Sequence, residues 1–183
     1  MMHAIAKFIY FKLMGWTLVG DFPDVKKCVM IVVSHTSYSD FFLGLLVRKI
    51  WQEEINFIGK KSLFIGPIGW YLKKVGGAPI IRNKNSDTVS AIVDIFNSKE
   101  KFRLSLSPEG TRDKVTEWKT GFYFIAKAAK VPVVMVAFDY GKKQIKISKA
   151  YFTTDDQEAD FKLYKSFFKG VLGRIPKKSY IEA

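Results

Sequence analysis

Apolar and polar positions along this chain follow two rhythms, and the boundaries between them predict its elements. Three- to four-residue spacing of bulky apolar side chains predicts helices over 3–14, 39–50, 86–97 and 120–130. Short apolar runs bounded by Gly, Pro, Asn or Asp predict strands at 16–19, 28–33, 56–59, 78–81, 102–106, 132–138 and 144–150. A turn is expected at Asp21-Phe-Pro-Asp24. A last helix begins at Asp155-Asp-Gln-Glu158, whose acids suit a helix N-terminus. Phe161, Tyr164, Phe168 and Val171 form one face of it, and Gly173 and Pro176 are expected to end it. Strands alternating with helices predict an α/β fold, a single-domain α/β sandwich around one mixed sheet spanning 1–183.

Two apolar segments stand apart. In residues 1–15, Met2, Ile5, Phe8 (or Ile9), Leu13 and then Trp16 recur at helical spacing, with His3, Lys7 and Lys12 off the stripe. An amphipathic helix of this kind either lies in a membrane interface or packs on the domain. Lys7 and Lys12 interrupt any signal-peptide core, and no small-residue cleavage site follows. The second segment, Ser62-Leu-Phe-Ile-Gly-Pro-Ile-Gly-Trp-Tyr-Leu72, holds bulky apolar residues, but its Gly and Pro oppose a regular long helix. It reads as a broken helix dipping into a membrane interface, or as ordinary core. No run reaches the ~20 apolar residues needed to span a bilayer.

Charge narrows the partners. Thirty Lys and Arg against 17 Asp and Glu leave a formal charge of +13, beside 16 phenylalanines. Such an excess calls for nucleic acid or an anionic membrane surface. With the lysines dispersed and no zinc-finger spacing, RNP motif or long basic run, the membrane surface is the expected partner and nucleic acid is not. One cysteine, Cys28, excludes a disulfide framework, and two histidines oppose a multi-histidine metal centre.

Of those two histidines, His35 stands five residues before Asp40, in Val33-Ser-His-Thr-Ser-Tyr-Ser-Asp40. On one continuous helix, five steps would turn the two side chains about 140° apart. They meet only if a strand ends near Ser34 and a helix begins near Tyr38, with Thr36 and Ser37 as small capping residues. A carboxylate in reach of a histidine fixes its tautomer and makes it a general base. Ser107-Pro-Glu-Gly-Thr-Arg112 likewise follows an apolar strand, and Pro108 and Gly110 force a turn that presents Glu109 and Arg112. Val75-Gly-Gly-Ala-Pro-Ile-Ile-Arg82 repeats the scheme: glycine turn, short strand, arginine.

Together these blocks resemble the glycerolipid acyltransferases, in particular the lysophosphatidate (1-acylglycerol-3-phosphate) acyltransferases. Ser34-His-Thr-Ser-Tyr-Ser-Asp40 is similar to their Asn-His-x-Ser-x-x-Asp motif, Gly77–Arg82 to the second motif, Ser107–Arg112 to the third, and Val131-Pro-Val-Val to the start of the fourth. Gly59-Lys-Lys-Ser-Leu-Phe-Ile-Gly-Pro-Ile-Gly-Trp70 resembles a further stretch, so the likeness covers about 20–140. It implies that His35 takes the proton from an acceptor hydroxyl while Asp40 orients it. Arg82, Arg112 and Lys60 (or its neighbour Lys61) would hold a phosphate. Glu109 would hold those cations, contact the acceptor or pair with Arg112, and Gly110 and Thr111 would shape the turn. The implied donor is acyl-CoA or acyl-carrier protein and the implied acceptor lysophosphatidate, with no cofactor; the lack of a signal-peptide pattern makes the cytoplasmic face of a membrane the expected site. Ser34 in place of Asn, and Met135 where proline is frequent, leave open another lysolipid or an N-acyl amino acid as acceptor. A lipid-binding module without activity is a further alternative.

Overall fold

The computed structural model describes residues 2–80 and 88–180. Seven strands form one mixed sheet: β1 (Thr17–Val19), β2 (Lys27–Val33), β3 (Asn56–Lys60), β4 (Gly77–Ile80), β5 (Phe102–Leu106), β6 (Val133–Asp139) and β7 (Gln144–Tyr151). Their order is β1-β7-β6-β2-β5-β3-β4. Strands β6, β2, β5, β3 and β4 run parallel. β7 is antiparallel to β6, and β1 closes the edge parallel to β7. The described helices are α1 (Met2–Lys7), α2 (Ser39–Trp51), α3 (Gly66–Lys74), α4 (Thr88–Ser98), α5 (Gly121–Ala128) and α6 (Gln157–Phe167).

Period-two alternation on the central strands builds a core on each face of the sheet. Val29, Ile31, Val33, Leu104, Val133 and Met135 point into the cluster under α4, α5 and α6. Cys28, Met30, Val134, Val136 and Phe138 point into the one under α1 and α2. A central strand buried on both sides reads as an unbroken apolar run, which is why 28–33 and 132–138 carry no polar alternation. Each large side chain fully withdrawn from water, such as Leu104, contributes roughly 1.5–3 kcal/mol. Asp156 caps α6 as its acidic start predicts, accepting from Ala159 N at 2.9 Å.

Three expectations change. The N-terminal helix is α-helical only to Lys7 and continues as a π-helical stretch over Phe8–Leu13. Its buried side is Ala6 and Tyr10, whose hydroxyl donates to Thr17 O at 2.8 Å, followed by Trp16. Met2, Ile5, Phe8 and Leu13 are the exposed side, so the stripe read from spacing, Trp16 excepted, is the outward face. Second, α6 stops at Phe167; Phe168 and Val171 are buried beyond its end, with Gly170 at φ 75° in the turn between them. Third, segment 62–72 is not ordinary core. It splits into a 3₁₀ turn (Lys61–Phe64) and α3, with Pro67 in the first helical turn. Phe64 is buried, whereas Ile65, Ile68 and Trp70 are 72, 71 and 64% exposed. Among the described residues, no helix is long and apolar enough to cross a membrane.

Candidate functional site

Five parallel strands end at one edge of the sheet, so the loops that follow them converge there, the usual place for a ligand site in such sheets. Register does the positioning. Ile31 pairs with Leu106, so Ser34-His35 and Ser107-Pro108-Glu109 leave the sheet side by side. Val33 pairs with Ala137, which brings Tyr140 out on the other flank of β2.

The chain turns after β2 and enters α2, and that turn closes the gap between His35 and Asp40. His35 Nδ1 lies 3.1 Å from Asp40 Oδ2, with the imidazole a quarter exposed and the carboxylate buried. The same Oδ2 accepts the backbone N–H groups of Thr36 at 3.0 Å and Ser37 at 2.9 Å. Oδ1 accepts the Tyr140 hydroxyl at 2.7 Å. Asp40, in the first turn of α2, thus ties the preceding loop to the helix. Of the two small residues expected to cap it, Ser37 Oγ accepts the N–H of Ser39, the first residue of α2, at 3.3 Å, whereas Thr36 Oγ1 accepts from Ile175 N. Burial pushes the Asp40 carboxyl upward, but the hydrogen bonds from His35, Tyr140 and Ser37 outweigh it and hold the group below its ordinary value. With Nδ1 engaged, Nε2 is the ring nitrogen available to a substrate.

Glu109 locks the other side of His35. Its Oε2 accepts His35 N at 2.7 Å and the Ser107 hydroxyl at 3.0 Å, and Oε1 lies 3.5 Å from Ser34 Oγ. Burial raises the Glu109 pKa above the usual carboxylate value, and these donors only partly offset it. Glu109 thus anchors the backbone of the histidine. The ion pair with Arg112, one of the three roles open to Glu109, is not made, because the carboxylate turns to the part-buried N–H of His35. Ser34, standing where the resembled family has Asn, also accepts Tyr180 N at 3.2 Å.

Arg112 lies with its guanidinium carbon 3.8 Å from the ring centre of Tyr38, itself inside the His35–Asp40 loop. Its Nε is buried and has no hydrogen-bond partner among the described residues. A guanidinium held by stacking, with a donor to spare, suits an arriving anion. Gly110 sits at φ 65°, a left-handed conformation natural to glycine, and its N–H donates to Ser107 O at 3.1 Å. Thr111 Oγ1 accepts from Asp113 N at 3.3 Å, within the same turn. Lys60 is exposed at the end of β3. Arg82 lies outside the described residues.

Sequence reasoning missed Tyr140 and Ser107. Tyr140 had one available signal: it directly follows an apolar strand, as His35 and Glu109 nearly do.

The Acyltransferase family matches residues 20–139, the span that carries the site apart from Tyr140 and the backbone donors Ile175 and Tyr180. The chain belongs to the Acyltransferase family. Among its relatives is the human protein 1-acyl-sn-glycerol-3-phosphate acyltransferase beta, 28% identical over 137 residues, 72% of this chain and 48% of the relative. The 1-acyl-sn-glycerol-3-phosphate acyltransferase of Escherichia coli K12 is 31% identical over 129 residues, 66% of this chain and 50% of the relative. The protein of the same name from Streptococcus pneumoniae R6 is 25% identical over 136 residues, 69% and 50%. This Acyltransferase-family chain spans about half the length of the curated relatives it matches. No solved structure matches it significantly.

Proposed function

We propose that the chain is an O-acyltransferase that moves a fatty acyl group from an acyl thioester to the free hydroxyl of lysophosphatidate, giving phosphatidate. The observation that carries this is His35 held through Nδ1 by a fully hydrogen-bonded Asp40. Nε2 takes the proton of the acceptor hydroxyl as its oxygen attacks the thioester carbonyl, and Asp40 stabilises the imidazolium. The tetrahedral intermediate collapses, the carbon–sulfur bond breaks, and the imidazolium returns its proton to the departing thiolate. Transfer is direct, with no acyl-enzyme. Glu109 fixes the histidine's backbone and Arg112 binds the acceptor phosphate, assisted by Arg82 and Lys60.

The donor is acyl-CoA or acyl-carrier protein, whose anionic groups both suit a chain of charge +13. The site of action is a membrane surface, the anionic cytoplasmic leaflet. Exposed Ile65, Ile68 and Trp70 among Lys61, Lys73 and Lys74 support that placement, as do exposed Met2, Ile5 and Phe8 beside Lys7.

The test is acyl transfer from both donors to lysophosphatidate, glycerol-3-phosphate, lysophosphatidylcholine and an N-acyl amino acid, by wild type and His35→Ala. Phosphatidate from lysophosphatidate, lost with His35, is the expected result. Product only from another acceptor would keep the mechanism and replace the substrate. Turnover surviving without His35 would overturn the mechanism.

A further inference from the structure

Residues 140–180 lie beyond the family match, yet part of this stretch is strapped across the catalytic loop. Ile175 N donates to Thr36 Oγ1 at 3.1 Å, and Tyr180 N donates to Ser34 Oγ at 3.2 Å. Between them Gly173 packs so closely that a Cβ there would stand 2.6 Å from the Thr36 side chain. Gly173 N is in turn held by Ser179 Oγ at 2.9 Å, and Leu172 O accepts Tyr140 N at 2.7 Å. Arg174, flanked by two residues seated on Thr36, is thereby fixed at the edge of the site while its own side chain remains exposed.

What Arg174 faces is an open-sided cavity of about 330 Å³, within the roughly 300–1,000 Å³ usual for small-molecule sites. Its walls are apolar: Met14, Trp16, Phe42, Leu43 and Leu46. Trp16 packs edge-on to Tyr140 at 4.8 Å between ring centres, which stiffens one wall. Ser39 and Tyr140 border the same space, and Tyr140 is the residue that donates to Asp40, so the cavity abuts the catalytic pair. The two charged groups on its lining, Arg174 and Lys143, are both cations and both lie outside the family match.

Apolar walls disfavour a free sugar or nucleotide, and two cations at the lining disfavour a neutral lipid. An acyl chain joined to a phosphate meets both demands. We infer that this cavity is a binding subsite for the phosphate-bearing acyl amphiphile of the reaction, with the chain against Leu43, Leu46 and Trp16 and the phosphate on Arg174 and Lys143. The inference rests on the acyl-transfer reading for its substrates. Two of them carry both groups, lysophosphatidate through its glycerol and the acyl-CoA donor through its longer pantetheine arm, and the first would move the acceptor phosphate from Arg112 to this pair of cations.

The experiment separates the site from the reaction by using a probe that does not react. Calorimetric titration with decyl phosphate, below its micellar concentration, is compared with decanol for wild type, His35→Ala, Arg174→Ala/Lys143→Ala, Leu46→Trp and Arg112→Ala. Both altered cations are exposed, and thermal melting verifies that the double variant is folded. Wild type and His35→Ala are expected to bind decyl phosphate equally, whether or not the protein turns over. Arg174→Ala/Lys143→Ala is expected to weaken it at least about tenfold while leaving decanol unchanged, and Leu46→Trp to block both. In turnover assays with acyl-CoA and lysophosphatidate varied in turn, the KM that rises names the source. Affinity unchanged in Arg174→Ala/Lys143→Ala, affinity lost only in Arg112→Ala, or weakened binding with neither KM altered would each overturn the inference. The first two of those results are read from binding alone and do not depend on whether phosphatidate is the product.

Discussion

The hydroxyl of Tyr140 donates to Asp40 Oδ1 at 2.7 Å across 100 residues of sequence, closing the far end of a relay that begins at His35. Burial pushes the Tyr140 hydroxyl up to about 12, so it remains a donor throughout the working range. A hydrogen bond to a charged group contributes about 1.5–3 kcal/mol. Tyr140→Phe is expected to lower kcat roughly five- to tenfold with KM nearly unchanged. The acid limb of the pH–rate profile should move upward, because Asp40 loses a donor that favours its ionised form. Steady-state kinetics across pH decide this; an unchanged profile would reduce Tyr140 to a packing role.

The two carboxylates beside His35 have opposite pH signatures. Asp40 has a lowered pKa, so its stabilisation is complete above the ordinary Asp value of about 3.9 and disappears as pH falls through the folded value. The stability deficit of Asp40→Asn should therefore be largest near neutrality and shrink on acidification. Glu109 has a raised pKa, so its stabilisation is complete below the ordinary Glu value and is lost as pH rises through the folded value. Glu109→Gln keeps an acceptor for His35 N and should gain in Tm relative to wild type as pH increases. Melting curves from roughly pH 3 to 8 test both signs; pH-independent offsets would contradict them.

Arg112 stacks on Tyr38 at 3.8 Å, and a cation–π contact of this kind is worth about 0.5–2 kcal/mol. Tyr38→Ala should raise KM for a phosphorylated acceptor roughly three- to tenfold, whereas Tyr38→Phe, which keeps the ring, should not. Arg112→Lys should cost more than Tyr38→Ala, since an ammonium offers neither the plane nor the fork. Kinetics with the acceptor varied at saturating donor separate these cases. Equal effects of the two Tyr38 variants would mean that the hydroxyl, not stacking, matters.

Ile65, Ile68 and Trp70 project from α3 and the turn before it, and Lys74 Nζ stands 5.0 Å over the Trp70 ring. Ile68→Glu/Trp70→Asp should reduce co-sedimentation with vesicles containing anionic lipid at least severalfold. Turnover of a short-chain, monomeric acceptor should be unaffected. Wild-type binding should also weaken as salt rises, since screening shortens the reach of the lysines. Vesicle binding undiminished in the variant would move the membrane face elsewhere, with exposed Met2, Ile5 and Phe8 the next surface to alter.

Apolar periodicity by itself determined most of the elements, because a strand buried on both faces or a helix over a sheet leaves a local imprint on its own residues. The runs 28–33, 102–106 and 132–138 are strands within a residue or two of their expected limits. The His35–Asp40 contact was legible for a similar reason: five residues apart, the pair can meet only across a strand-to-helix turn. Spacing could not say which stripe faces inward. In α1 and the π-helical stretch after it, Met2, Ile5, Phe8 and Leu13 recur regularly but point outward, and the docked side is Ala6 and Tyr10. Only the tertiary structure decided the partners of Glu109, the place of Tyr140 and the seat of Gly173 and Ile175 on Thr36. Those contacts depend on which strands lie side by side and in what register, and a hydrogen bond between loops 74 or 100 residues apart imposes no period on the residues between them.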